Sequence, residues 1–129
     1  LLAAGLLLLA LAAACDYTTA PLSTEPQVTN NPDDFRLQVN NLNNVSGSLE
    51  YTWQNSGTVA AVTQTPGAGS FGTATITIRD NAGTQVYSRD LKQTGPFVSM
   101  PAGAAGSWTI HVDIEGFYGT IDVHVQKGN

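Results

Sequence analysis

The chain has 129 residues, with ten acidic side chains against five basic ones and a net charge of −5. That balance disfavours nucleic acid and anionic lipid as partners, and the length suits one hydrophobic core rather than two. Only 12% of residues are charged, so solubility has to come from Thr, Ser, Asn and Gln, a surface that suits an exported β-protein.

Residues 1–14 carry no charge and are mostly Leu and Ala. A spanning helix needs about 20 apolar residues and a signal-peptide apolar region roughly 7 to 15, so the length predicts a signal. Leu6 to Leu11 supply the apolar run, and Ala12, Ala13 and Ala14 supply the small side chains that a signal peptidase needs. Cys15, the single cysteine, follows directly. This arrangement resembles the lipobox of bacterial lipoproteins, with one departure: Ala12 stands at the third position before the cysteine, where the family most often carries Leu.

The resemblance implies cleavage before Cys15, a diacylglycerol thioether on its sulphur and an acylated amino group. Several acyl chains together anchor firmly, which places the protein in a bacterial cell envelope, facing the periplasm or the cell surface. Asp16 resembles an inner-membrane retention signal used by some enteric bacteria, while other lineages ignore it, so the choice of membrane stays open. An ordinary secretory signal cut near Ala14 is the alternative. It would leave an unpaired thiol in an exported chain, which lipidation avoids. The sequence begins without Met and without the Lys or Arg expected ahead of such a segment, so it is expected to lack its first residues.

From Asp16 to Pro32 the chain has three prolines, many hydroxyl side chains and no hydrophobic period. That composition predicts an extended, flexible spacer. The expected organisation is therefore a signal peptide over 1–14, the lipidated cysteine and linker over 15–32, and a folded domain over 33–129.

Period-two alternation then dominates. Phe35, Leu37 and Val39 predict a first strand. Val45, Gly47, Leu49, Tyr51 and Trp53 alternate with Ser46, Ser48, Glu50, Thr52 and Gln54 to give a second. Asn55-Ser56-Gly57 turns the chain into a strand over 58–65, and Pro66 to Gly72 reads as a glycine-rich loop. Thr73 to Arg79 and Thr84 to Leu91 flank the turn Asp80-Asn81-Ala82-Gly83 as a hairpin. Phe97 to Met100 gives a short strand. Trp108, Ile110, Val112 and Ile114 alternate with polar residues, as do Ile121, Val123 and Val125. The intervening Gly116-Phe117-Tyr118-Gly119 predicts a hairpin loop that pairs the two segments antiparallel.

These elements predict an all-β antiparallel β-sandwich of about 7–8 strands. The unit from Ile76 to Tyr87 is similar to those in bacterial immunoglobulin-like domains, a resemblance of architecture that assigns no function. Trp53 and Trp108 are expected to supply core bulk, each with a partner for its indole N–H; an exposed sugar platform is the alternative for either.

Two sets of residues invite chemistry. Ala68-Gly69-Ser70-Phe71-Gly72 mimics a nucleophile elbow, and Ser70, Asp113 and His124 follow the hydrolase chain order. An elbow needs a helix after its serine, and here a β-patterned run follows, so no enzyme is expected. The second set comes from the expected terminal hairpin, which gathers His111, His124, Asp113 and Asp122 on one face, near Glu115. Two imidazoles with carboxylates suit a divalent ion such as Zn²⁺ or Cu²⁺. The competing reading is a solvated polar face without a cofactor.

The function expected from the sequence is a membrane-anchored, non-catalytic binding or structural module, with an envelope protein, a glycan or a second copy as partner. A carrier of a small ligand or divalent metal is the alternative.

Overall fold

The structure, a computed structural model, describes residues 25–129; Cys15 and the apolar segment before it lie outside them. Among the described residues there is no helix. The strands are β1 (Gln27–Asn31), β2 (Asp34–Asn55), β3 (Ala60–Gln64), β4 (Phe71–Arg79), β5 (Gln85–Asp90), β6 (Gly95–Val98) and β7 (Gly106–Lys127), all paired antiparallel.

Two 22-residue strands, β2 and β7, organise the molecule by pairing with each other along their whole lengths. Their register breaks between Val39 and Leu42, between Leu42 and Val45, and between Val45 and Gly47. Extra residues of this kind bend a ribbon. Asn41 and Asn44 take left-handed backbone (φ 57° and 52°), which asparagine tolerates better than other side chains. Opposite them, Gly116 and Gly119 have φ of 54° and 123°.

The bend is sharp enough to fold the ribbon onto itself. Phe35 and Tyr51 lie sixteen positions apart on β2, which would be about 50 Å if extended, yet their ring centroids are 5.4 Å apart. At the opposite, open end the Asp33 N–H donates to the Gln54 carbonyl at 2.8 Å. The first half of β2 and the second half of β7, with β1, β3 and β6, make one layer. The second half of β2 and the first half of β7, with β4 and β5, make the other.

The inward alternation of both layers forms one core. Phe35, Leu37, Val123 and Val125 come from the first layer, and Ile76, Ile78, Ile110 and Val112 from the second; all are fully buried. Trp53 and Trp108 sit opposite each other at 0% exposure and pack edge to face, 6.0 Å apart. Their indole N–H groups donate to Asn31 O (3.0 Å) and Ala104 O (2.7 Å). Neither ring can serve as a sugar platform.

A buried polar contact joins the layers. Tyr87 Oη on β5 donates to Gln64 Oε1 on β3 at 2.7 Å, and Gln64 Nε2 donates to the carbonyls of Asp90 and Gln93 at 3.0 and 2.9 Å. Burial pushes the Tyr87 phenol up to about 12, against a smaller lowering by Arg89. Beyond β6, the Met100 N–H donates to Val86 O at 2.7 Å, tying that margin to β5.

Three expectations need correction. The hairpin expected at 116–119 is a reversal within one continuous strand: its arms face each other across the core instead of pairing edge to edge, because β2 occupies the edge each arm would have offered. The two strands expected within 35–54 are likewise the halves of β2. The flexible linker expected through Pro32 gives way at Gln27, where β1 pairs with β2 from Gln27 opposite Gln38 to Asn31 opposite Asp34. Pro32 and Asp33 make the turn between them, with Asp33 at φ 65°. The β4–β5 hairpin, β3, and the turn at 80–83 stand where expected.

Candidate functional site

The side chains that alternate outward from β2, β7, β4 and β5 line up in rungs across the second layer. Ser48, Asp113, Thr75 and Asp90 form one rung. Glu50, His111, Thr77 and Ser88 form the next, and Thr52, Thr109, Arg79 and Gln85 the third. Between them lies a shallow groove of about 510 Å³, lined by Glu50, Thr77, Arg79, Thr109, His111 and Asp113.

His111 is its centre. Nδ1 lies 3.0 Å from Glu50 Oε1 and Nε2 lies 3.0 Å from Asp113 Oδ1. A neutral imidazole has one N–H and satisfies one of these carboxylates; an imidazolium donates to both. Partial burial pulls the imidazole pKa down, but hydrogen bonds to Asp113 and Glu50, with their negative charges, outweigh it and hold the group above its ordinary value. Asp113 is held below the usual carboxylate range, first by the Ser48 hydroxyl, which donates to Oδ1 at 2.9 Å, and then by His111. Arg79 adds a permanent cation at the far side of the groove, where Nη1 donates to Gly83 O at 3.4 Å.

The outer face of the first layer is built differently. Arg36 Nη2 donates to both oxygens of Asp122 at 3.2 Å. His124 Nε2 lies 2.6 Å from Asp34 Oδ1. The Arg36–Asp122 and His124–Asp34 pairs are separate.

The four residues expected to gather around a metal are therefore divided. His111 and Asp113 lie on one outer face, His124 and Asp122 on the other. The expected register assumed that the arms of 108–126 pair with each other, which would turn their outward side chains to a common face. Stacked across the core, they turn them to opposite faces. Among the described residues no group of three or more His, Cys, Asp or Glu side chains is placed to hold a metal ion. Glu115 is exposed at the bend, opposite Thr73.

Ser70, Asp113 and His124 are also not brought together. Ser70 Oγ donates to Gly67 O at 2.7 Å and accepts the Thr120 N–H at 3.3 Å. It closes its loop onto β7 and faces no base. Ser48 lies beside the groove, but it donates to Asp113 rather than to the imidazole.

Glu50, Thr77 and Arg79 are groove residues that sequence reasoning did not assign. The alternation of 45–54 marked Glu50 as outward. Its pairing with His111, 61 positions away, is a property of the β2–β7 register.

Comparison with known proteins yields no match to a protein-family model, to a curated protein or to a solved structure.

Proposed function

We propose that the chain is a membrane-anchored lipoprotein whose β-sandwich is a non-catalytic binding or structural module of the bacterial cell envelope. One juxtaposition carries this reading. An apolar segment ending in Ala12-Ala13-Ala14-Cys15 stands twelve residues before a domain in which, among the described residues, both histidines are taken up by surface carboxylates and Ser70 by its own loop. Acylation of Cys15 gives the single thiol a role, and the short polar spacer before β1 keeps the domain near the bilayer.

Intact mass tests the anchor. Protein extracted from membranes is expected to begin at Cys15 and to carry three acyl groups; an unmodified thiol on a freely diffusing chain refutes it. Co-purification of an envelope protein in mild detergent tests the binding role.

A second reading, a carrier of a small polar ligand, is favoured by the groove around His111. An imidazolium, a guanidinium, two carboxylates and two threonine hydroxyls offer both donors and acceptors to a hydroxylated or zwitterionic molecule. Titration calorimetry with such compounds, repeated on His111→Ala, distinguishes it from the first.

A further inference from the structure

The bend end of the sandwich carries an aromatic pair that the groove does not use. Phe71 is 57% exposed, and its ring stacks on that of Tyr118 with centroids 4.4 Å apart and planes 14° apart. Gly72, at φ 95°, lies so close to β7 that an added Cβ would come within 2.2 Å of Gly116 O, and the β4–β7 register shifts between Phe71 and Thr73. Around the pair lie uncharged polar elements: the loop 65–70 and the exposed Asn41, Asn43 and Asn44 of the facing bulges. Glu115, outward on β7, is the nearby carboxylate.

The chain enters the fold at this same end. Gln27 pairs with Gln38, which pairs with Asp122, four positions along β7 from Tyr118. Three strand spacings and four residues of rise put Gln27 roughly 20 Å from Phe71. The other strongly exposed apolar side chains, Val98 and Met100, belong to the opposite end, since Val98 pairs with Ala61 and thence with Gln126.

We propose that the bend end rests on the membrane, with Phe71 and Tyr118 entering the boundary between headgroups and acyl chains of a zwitterionic lipid surface. This rests on the reading of Cys15 as the lipid-bearing residue. Twelve residues from Cys15 to Gln27 reach about 40 Å at most, so an anchored domain is confined beside the bilayer. At the millimolar effective concentrations of a short tether, a contact too weak to recruit a free protein is well populated. An aromatic ring with one polar end, as in Tyr118, favours this interfacial depth, and the apolar ring of Phe71 stacks on it. The net charge of −5 points to zwitterionic rather than anionic lipid.

The test uses the full lipidated chain in phosphatidylcholine vesicles with brominated acyl chains, which quench indoles at contact range. Trp53 and Trp108 are buried and give the parent chain an unquenched baseline. In Phe71→Trp the added indole's emission is expected to be lost in brominated vesicles and retained in unbrominated ones. A Phe71→Trp chain whose mass carries the acyl groups but whose emission is unaffected overturns the docking and leaves the anchor standing; that is the outcome if the pair instead binds another protein or a second copy. A chain without acyl mass removes both. Phe71→Ser supplies a second readout: amide exchange at Gly116 to Tyr118 slows on vesicles in the parent and not in this variant, with near-ultraviolet circular dichroism confirming that both are folded. Equal exchange in the two chains overturns the proposal.

Discussion

The two halves of β7 share one strand, one alternation and one histidine each, yet they occupy different chemical environments. In the half before Gly116, His111 bridges two carboxylates over a groove. In the half after Gly119, His124 meets one carboxylate, and its neighbour Asp122 is taken by Arg36. Composition does not separate the halves, since each alternates apolar with polar and each bears an aspartate near its histidine. The difference comes from the neighbours supplied by the bent partner strand: Glu50 beside one imidazole, Asp34 and Arg36 beside the other. A bend in a paired ribbon thus gives two similar segments unlike surfaces.

Disturbing the packing of β4 against the bend has the largest expected effect. In Gly72→Ala the new Cβ collides with the Gly116 carbonyl at a positive φ, and the expected cost is about 3 kcal/mol or more. Urea denaturation should show either a large fall in midpoint or failure to fold. Stability within about 0.5 kcal/mol of the parent would mean that β4 is not held against β7 at the bend by this close approach.

Next comes the contact that holds the layers in register. Tyr87→Phe leaves Gln64 Oε1 without its donor in the core, at an expected cost of roughly 1–3 kcal/mol by denaturant unfolding. Thr77→Ala, at a half-buried outward position whose hydroxyl meets Ser88 at 3.4 Å, is expected to cost under about 0.5 kcal/mol by the same measurement.

The bridging of His111 is open to NMR titration. His111 should titrate above the ordinary imidazole value of about 6.5, and Asp113→Asn should lower its midpoint. Because the folded value is raised, the stability His111 contributes is present in full below the unfolded value and is lost as pH rises through the folded one. Asp113, whose folded value is lowered, contributes stability above its unfolded value that is lost as pH falls through the folded one. A His111 midpoint unaffected by Asp113→Asn would remove the bridging geometry.

The smallest effect concerns metal. With His111 and His124 on opposite faces, Zn²⁺ should shift the Tm by about a degree or less, and His111→Ala should not change that response. A large shift abolished by either single alanine variant would require the two side chains to meet, and so would contradict the bend.

Much of the fold was legible in the residues. The alternations at 35–39, 45–54, 73–79, 108–114 and 121–125 each identified the inward side chains, and the turn at 80–83 was readable from Asp, Asn and Gly. The identity of neighbours was not. Gly116-Phe117-Tyr118-Gly119 carries the chemistry of a reversal, but the same glycines serve a tight hairpin and a bend within one strand; the choice depends on whether β2 lies alongside. The candidate metal set failed for that reason. β1 was missed because Gln27 to Asn31 is wholly exposed, an edge strand with no apolar alternation to reveal it.

Residue types alone carry the all-β character, the inward face of each alternating segment and the reversals at 80–83 and 116–119, because period-two burial and left-handed backbone are local properties. Which outward residues meet is a property of the folded chain. Contacts such as Glu50 with His111 or Asp34 with His124 join positions 61 and 90 apart, and a shift of register by one residue would have exchanged every one of them.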